Sequence, residues 1–244
     1  MDKIDLETIP LYKYAEIRGI DMLKQIILTS RDILFGQIAH YKVEINNEAD
    51  LQLHFSYILK SVGELFKFGI DHHLKIHLET PFVTKKILSK SESNRSKIDI
   101  VLEWFGSTST VVSCAIELKY FLAEGLREPQ NRYAVFCDLA NLEEYVQNSW
   151  DPKGDILNYY SFQMGYFLLG TDNPHYVNKK FYKDTTKDFD FRHNTTYTAG
   201  TELKYHAKNN TIKSVKLSKN YHFLWQKVSH YYYMDHFIYR TYQK

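Results

Sequence analysis

Two apolar runs, KIDIVLEWF at residues 97–105 and TVVSCAIELKYF at 110–121, are separated only by the turn-like residues GSTS. Such runs, bounded by turn residues, predict two β-strands joined as an antiparallel hairpin. The second run carries Glu117 and Lys119 two positions apart, so both side chains project from one face of the strand. Because burying a charge is costly unless it is paired or bound to a metal, the hairpin points to a polar site within the fold.

A turn centred near residue 108 would place Asp99 directly across from Glu117. Directly opposed residues have Cβ atoms about 4.5–5.5 Å apart. Two carboxylates that close repel each other unless one is protonated or a cation lies between them. Mg²⁺, with Mn²⁺ as a substitute, takes such oxygen ligands, and Lys119 would sit beside it. The alternative is a cross-strand ion pair on a solvated sheet face. Ile98, Ile100 and Leu102 are predicted to pack on the opposite face.

Other segments complete an α/β pattern. Residues 15–35 and 46–69 have helical apolar spacing, and Asn47 is the expected N-cap of the second helix, with Glu48 in its first turn. Strands are predicted at 73–82 and 162–172, a helix at 132–148, and a last strand at 235–243. The order of helix, three strands, helix and strand predicts a meander followed by a crossover helix and a parallel fourth strand.

Composition places the chain among ordinary globular proteins. Its 244 residues are 44% hydrophobic and 25% charged, which suits a single domain with a sizeable core. The net charge of +2 does not by itself indicate a nucleic-acid binder. Lysine and arginine do cluster near residues 85–97, 179–187 and 204–219, and each cluster is interpreted either as a solvated face or as a phosphate-binding track.

The chain lacks the signatures of several other protein classes. Cys114 and Cys137 lie outside any CxxC pattern, so neither a disulfide framework nor a structural zinc site is expected. His72, His73 and His77 do not form a chelating frame, because adjacent strand residues face opposite ways. No signal peptide and no apolar run of 18 residues is found, so we expect a cytoplasmic protein without a membrane segment.

The arrangement of Asp99, seventeen intervening residues and then Glu117-Leu118-Lys119 resembles the PD-(D/E)XK nuclease superfamily, which has the restriction-endonuclease-like fold. The segments REPQNRYAVFCDLANLEEY and GYFLLGTDNPHY are also similar to segments of restriction-like proteins. The resemblance covers residues 46–172. It departs from the family pattern at Ile98, which stands where the motif has a leading proline.

The resemblance implies an αβββαβ core, with a central mixed sheet flanked by helices, in a single nuclease domain spanning residues 1–244. It implies that Asp99, Glu117 and Glu48 ligate Mg²⁺ and that all three act in catalysis together with Lys119. For Glu48 the alternative is a first-turn acid that only complements the helix dipole. Residues 173–234 lie outside the resemblance and are expected to contact substrate or to form an accessory insertion.

Two further interpretations concern residues around this site. Glu79 is either a further acid of the site or an ordinary exposed strand residue. Arg132 and Asp138 are expected either to pair and brace the site or to form a plain surface ion pair.

The expected activity is metal-dependent hydrolysis of DNA by an endonuclease of restriction or anti-phage defence. A homodimer is expected if both strands are cut. The alternatives are a binding module on the same fold that has lost catalysis, and an RNA nuclease or nucleotide-gated effector.

Overall fold

A computed structural model of the chain describes residues 11–69, 71–84, 93, 95–106, 111–123, 128–148, 161–178, 187–206 and 211–241. Its helices are α1 (Leu11–Ala39), α2 (Glu48–Leu65), α3 (Glu128–Asn148) and α4 (Pro174–Asn178). Its strands are β1 (His73–Val83), β2 (Arg95–Phe105), β3 (Val111–Phe121), β4 (Phe162–Thr171), β5 (Thr195–Tyr197), β6 (Glu202–His206), β7 (Ile212–Lys216), β8 (Tyr221–Phe223), β9 (Gln226–Val228) and β10 (Tyr231–Tyr239).

The centre of the fold is a six-stranded mixed sheet with the strand order β1-β2-β3-β4-β10-β9. Strands β1, β2 and β3 form an antiparallel meander, and β3 pairs in parallel with β4 after the crossover through α3. This order confirms the predicted α/β class and the predicted meander and crossover. The last strand begins at Tyr231, earlier than predicted, because its tyrosine run pairs with β4 and β9.

The two faces of the sheet are covered by different helices. Apolar side chains of β2, β3 and β4 pack on one face against α1 and α2, and among them are Ile100, Ile116 and Leu168. On the other face, residues such as Val101 and Ala115 pack against α3. Residues 97–105 and 111–121 therefore belong to strands that are buried on both faces.

The side-chain alternation of β1 and β2 breaks at one matched position. Ile98 lies in the core beneath α3, whereas Ile100 and Leu102 lie beneath α1 and α2. The prediction that Ile98 shares a face with those two residues is therefore wrong. In the register of β1 and β2, Glu79 stands opposite Asp99 and has the left-handed φ of 49°. This conformation is unusual for glutamate, and it accounts for the change of face.

Residues 187–206 and 211–228 form an outer layer on α3. Aromatic rings of this layer, including Phe189 and Tyr205, pack against Tyr133 of α3. Glu143 of α3 anchors the layer by accepting hydrogen bonds from the Ser218 and Lys219 backbones and from the Tyr221 hydroxyl. The layer contains two two-stranded sheets, β5-β8 and β6-β7.

Within the described residues, no helix has both the length and the apolar composition that are needed to cross a bilayer.

Candidate active site in a gap between two strands

A gap opens between β2 and β3 where their backbone pairing ends. The last paired residues are Ile100 and Ile116, and β2 continues alongside β1 alone. Extending the register by one residue brings Asp99 opposite Glu117, as the sequence predicts. Instead of a backbone carbonyl, the Asp99 Oδ2 atom accepts the hydrogen bond of the Leu118 N–H at 2.7 Å. The carboxylate is thereby fixed inside the gap.

Lys119 is the cation at the centre of this gap and is only 7% exposed. Its Nζ donates hydrogen bonds to both carboxylate oxygens of Glu48, at 3.0 and 2.9 Å, and to the Leu118 carbonyl at 2.8 Å. Its Nζ also lies 3.4 Å from Oδ2 of the fully buried Asp138. Glu48, Asp99, Glu117, Lys119 and Asp138 together are called the acidic site below.

Glu48 reaches the gap because its helix begins at a fixed point. The Asn47 Oδ1 atom accepts from the Asp50 N–H at 2.9 Å, while the Asp50 carboxylate accepts from the Asn46 N–H. This pair of bonds caps the helix in the predicted way. Glu48 is therefore the first residue of α2 and keeps a side chain that is 43% exposed. It forms the solvent-facing side of the acidic site.

The charges of the acidic site are out of balance. Burial alone would lower the pKa of Lys119, but the carboxylates of Asp138, Glu48, Asp99 and Glu117 raise it above its usual value. Lys119 therefore stays protonated at neutral pH. Burial raises the pKa of Asp99 to about 6, against the opposing effects of Lys119 and the Leu118 N–H. Four carboxylates thus face one ammonium group, and the surplus negative charge favours a further cation.

Gln52 and Glu79 support Asp99 from the side of α2. Gln52 lies one helical turn after Glu48, and its Nε2 donates to the Asp99 carbonyl at 2.7 Å and to Glu79 Oε1 at 3.1 Å. Glu79 itself has a side chain that is 54% exposed and lies 3.8 Å from the Lys97 Nζ. The position of Gln52 was missed from the sequence, although its i+4 spacing from Glu48 was a usable signal.

Helix α3 closes the buried side of the acidic site with polar residues. Asp138, Asn141 and Tyr145 follow the i, i+3, i+7 spacing of one helix face, and all three are buried. The Tyr145 hydroxyl donates to Ser96 Oγ at 2.8 Å. Burial and the Glu117 charge raise the pKa of Tyr145, so this phenol remains neutral. These residues make the inner wall polar, which the apolar pattern of α3 did not predict.

Arg132 and Asp138, which were predicted to pair, contact different residues, Glu128 and Lys119 respectively. The Arg132 Nε donates to Glu128 Oε1 at 2.7 Å, and its guanidinium lies over the Phe191 ring at 5.0 Å. The two residues are six positions apart on a helix with about 3.6 residues per turn, so they project from different faces. Asp138 therefore contacts Lys119, and Arg132 secures the start of α3.

The acidic site suits a hard divalent cation by its donor chemistry. Mg²⁺ is usually held by one or two carboxylates together with water and phosphate oxygens, and Asp99 and Glu117 offer two carboxylates at opposed positions. No three His, Cys, Asp or Glu side chains form a ready-made metal cage in the described part of the chain. The fit therefore rests on two protein carboxylates and on the surplus negative charge, with Glu48 bonded to Lys119 in this structure.

Two of the histidines that were not expected to chelate a metal contact other side chains. His73 stacks on Phe105 with ring centroids 4.2 Å apart, and the His77 Nε2 lies 3.1 Å from Glu103.

Comparison of the chain with protein-family models, curated proteins and solved structures returns no match.

Proposed function

We propose that this chain is a metal-dependent nuclease that hydrolyses DNA phosphodiester bonds on a restriction-endonuclease-like PD-(D/E)XK core. The observation that carries the proposal is the buried Lys119 surrounded by four carboxylates in a gap between two strands. A surplus of buried negative charge destabilises a fold unless a cation offsets it. A divalent cation supplies the positive charge that such a site requires, and its remaining coordination positions can take a substrate phosphate.

Each residue of the acidic site has a role in this proposal. Asp99 and Glu117 hold the cation, and Glu48 at the solvent-facing side is its third ligand. When bound, the cation supplies Lewis acidity and lowers the pKa of its water toward neutrality. Lys119 acts as a positive charge that stabilises the developing negative charge on the phosphoryl oxygens. It does not act as a general base, because its raised pKa keeps it protonated.

Asp138 is a positioning residue in the same proposal. Its fully buried carboxylate contacts the Lys119 ammonium from the side of α3, while Glu48 contacts it from the side of α2. The two contacts hold the ammonium between the helices. If the cation draws Glu48 away, Asp138 is the partner that keeps Lys119 in place.

DNA is the proposed substrate, in a cytoplasmic enzyme of restriction or anti-phage defence, and a homodimer is proposed for cleavage of both strands. The outer layer at residues 187–206 and 211–228 is proposed to carry accessory contacts to the substrate. Several lysines of the basic clusters lie outside the described residues, among them Lys85, Lys86, Lys179 and Lys180.

The test is cleavage of matched duplex DNA, single-stranded DNA and RNA, each with Mg²⁺, with Ca²⁺ and with EDTA. We expect cleavage of duplex DNA with Mg²⁺ or Mn²⁺ and none with EDTA, while Ca²⁺ binds without supporting turnover. Glu64→Gln is the matched control for Glu48→Gln, because Glu64 lies on α2 like Glu48 but pairs with the exposed Lys60 and Lys67. Full activity in EDTA, or activity on RNA alone, would overturn the proposal.

A further inference from the structure

A tier of aromatic rings lies at the end of the sheet where β3 stops. Tyr41 is 78% exposed and stacks on His230, with centroids 5.5 Å apart and planes inclined by 19°. The His230 ring lies 4.1 Å from that of Tyr231, which in turn lies 6.5 Å from Tyr120. The tier therefore runs from solvent at Tyr41 to the buried Tyr120, and the surface of Tyr41 is open to a further planar group.

Three backbone features hold the tier in place. Tyr41 has a left-handed φ of 55° in the connection between α1 and α2. His230 lies in the two-residue turn between β9 and β10, where Ser229 has a φ of 57°. At the buried end, a Cβ added to Gly170 would lie 3.0 Å from the Tyr120 ring, so glycine lets that ring lie close against β4 without a shift.

The tier and the acidic site are at the same end of β3. Tyr120 directly follows Lys119, so the two side chains project from opposite faces at this end of the strand, Tyr120 toward α1 and α2 and Lys119 toward Asp138 of α3. Extending the pairing of β4 and β10 by one residue places Tyr231 opposite Asp172. Glu44 lies three residues after Tyr41 and four before Glu48. Burial, together with the charges of Asp172 and Glu44, raises the pKa of Tyr120 and of Tyr231. Two carboxylates therefore border the tier.

We propose that Tyr41, His230 and Tyr231 form a platform on which an unpaired base of the substrate strand stacks, at the same end of the sheet as the acidic site. This inference rests on the proposed function. Base stacking on aromatic side chains is a common mode of single-strand recognition, and it needs open ring faces of this kind. The phenol and imidazole groups suit a planar polar partner better than an aliphatic one.

The bordering carboxylates make the platform selective. Glu44 and Asp172 are hydrogen-bond acceptors, and adenine and cytosine present exocyclic amino donors that thymine lacks. The exposed Lys42, next to Tyr41, is available to the phosphate of the same nucleotide. We therefore expect the platform to prefer an amino-bearing base over thymine.

The experiment measures binding of fluorescein-labelled single-stranded oligonucleotides to the full chain in EDTA, so that no cleavage occurs. Oligo-dA and oligo-dC should bind at least about fivefold more tightly than oligo-dT, and an abasic oligomer should bind weakest. Tyr41→Ala and His230→Ala should each weaken oligo-dA binding by about five- to hundredfold, the range for loss of one stacked base. Tyr57→Ala is the matched control, because Tyr57 is 73% exposed on α2 and outside the platform.

Equal affinity for the abasic oligomer, no binding of any oligomer, or unchanged affinity in both platform variants would overturn the inference. The proposed nuclease fails by a different result, namely the absence of metal-dependent cleavage in the intact chain. If cleavage fails while binding still depends on Tyr41 and His230, the platform stands and the nuclease proposal falls. If cleavage succeeds while both platform variants keep wild-type affinity, the nuclease proposal stands and the platform inference falls.

Discussion

Two of the charge networks in the described part of the molecule are built on opposite principles. In the first, the Arg31 Nη1 and the Tyr166 hydroxyl both donate to Asp235 Oδ2, at 2.6 and 2.7 Å. Arg31 also donates to the exposed Asp32, so within the protein interior the cation meets a single carboxylate, that of Asp235. Arg31, Tyr166 and Asp235 are called the closing network below. In the acidic site, a single ammonium faces four carboxylates. The closing network is balanced, whereas the acidic site has a surplus of negative charge.

The difference separates a structural role from a functional one. A balanced buried pair holds its place in the fold, and removal of one partner is strongly destabilising. A surplus of like charges lowers stability, so removal of one member relieves repulsion. Strained or electrostatically unfavourable groups cluster at functional sites. The two networks should therefore respond to the same chemical change, carboxylate to amide, in opposite ways.

The largest expected effect is on catalysis by Asp99→Asn. The amide oxygen can still accept from the Leu118 N–H, but the negative charge toward the cation is lost. We expect single-turnover cleavage at least about a hundredfold slower, with unfolding free energy unchanged or higher. Single-turnover rates and urea denaturation measure the two quantities. A folded variant that cleaves at the wild-type rate would remove Asp99 from the site.

The second effect is on stability, by Asp235→Asn in the closing network. The change removes the less exposed of the two carboxylates that Arg31 contacts and leaves only the exposed Asp32, so it should cost on the order of 3 kcal/mol of unfolding free energy. Cleavage per folded molecule should not change, because the closing network is separate from the acidic site. Urea denaturation measures the cost. If this variant were as stable as Asp99→Asn, the contrast between the two networks would disappear.

The third effect is the pH dependence of the unfolding free energy in metal-free protein, to which Asp99 and His236 contribute with opposite signs. The pKa of Asp99 is raised by burial from 3.8 to about 6, so the folded chain binds more protons and stability falls as pH rises through that window. The pKa of His236 is lowered by burial from 6.5 to about 4, so stability rises with pH between those values. Each contribution is on the order of 2–3 kcal/mol, and the two nearly cancel.

Single variants should reveal the two opposing slopes. In Asp99→Asn only the His236 contribution remains, so the unfolding free energy should rise from pH 4 to 6.5. In His236→Phe only the Asp99 contribution remains, so the unfolding free energy should fall over the same range. The phenylalanine fits there because the His236 ring already packs edge-on against Tyr221 and Phe223. Denaturation in EDTA across this range is the measurement. Identical slopes in both variants and the wild type would contradict the assignment.

The smallest effect is expected from Gln52→Ala, which tests how the acidic site is supported. The change removes the hydrogen bonds to the Asp99 carbonyl and to Glu79. Loss of such a supporting bond typically costs about tenfold in metal affinity or activity. Titration of Mg²⁺ against cleavage rate measures it, with Glu64→Gln as the control. An unchanged Mg²⁺ dependence would make Gln52 a purely structural residue.

Local patterns were sufficient to predict the hairpin and its register. Period-two alternation and a short turn locate Asp99 opposite Glu117 without knowledge of the rest of the fold. They cannot predict that Asp138 contacts Lys119, because that contact depends on how α3 docks on the sheet. The misplacement of Ile98 has a related cause. The left-handed Glu79 redirects its neighbours, and nothing in HLETPF indicates such a conformation.

The outer layer escaped prediction for another reason. Its strands are three to five residues long, too short to show a clear alternation, and they are stabilised by packing on α3. Their burial comes from tertiary contacts such as those of Glu143, which join residues that are 75 to 78 positions apart.

The closing network also constrains the order in which parts of the chain can fold. Arg31 and Asp235 are 204 residues apart, and β10 inserts between β4 and β9. During synthesis, β4 emerges before its partner β10 and exposes an unpaired edge of residues that are buried in the folded chain. The sheet cannot close until β10 has been made, and such long-range closure is slow and prone to aggregation. Shortening the chain before Tyr239 should therefore yield insoluble protein, whatever the fate of the acidic site.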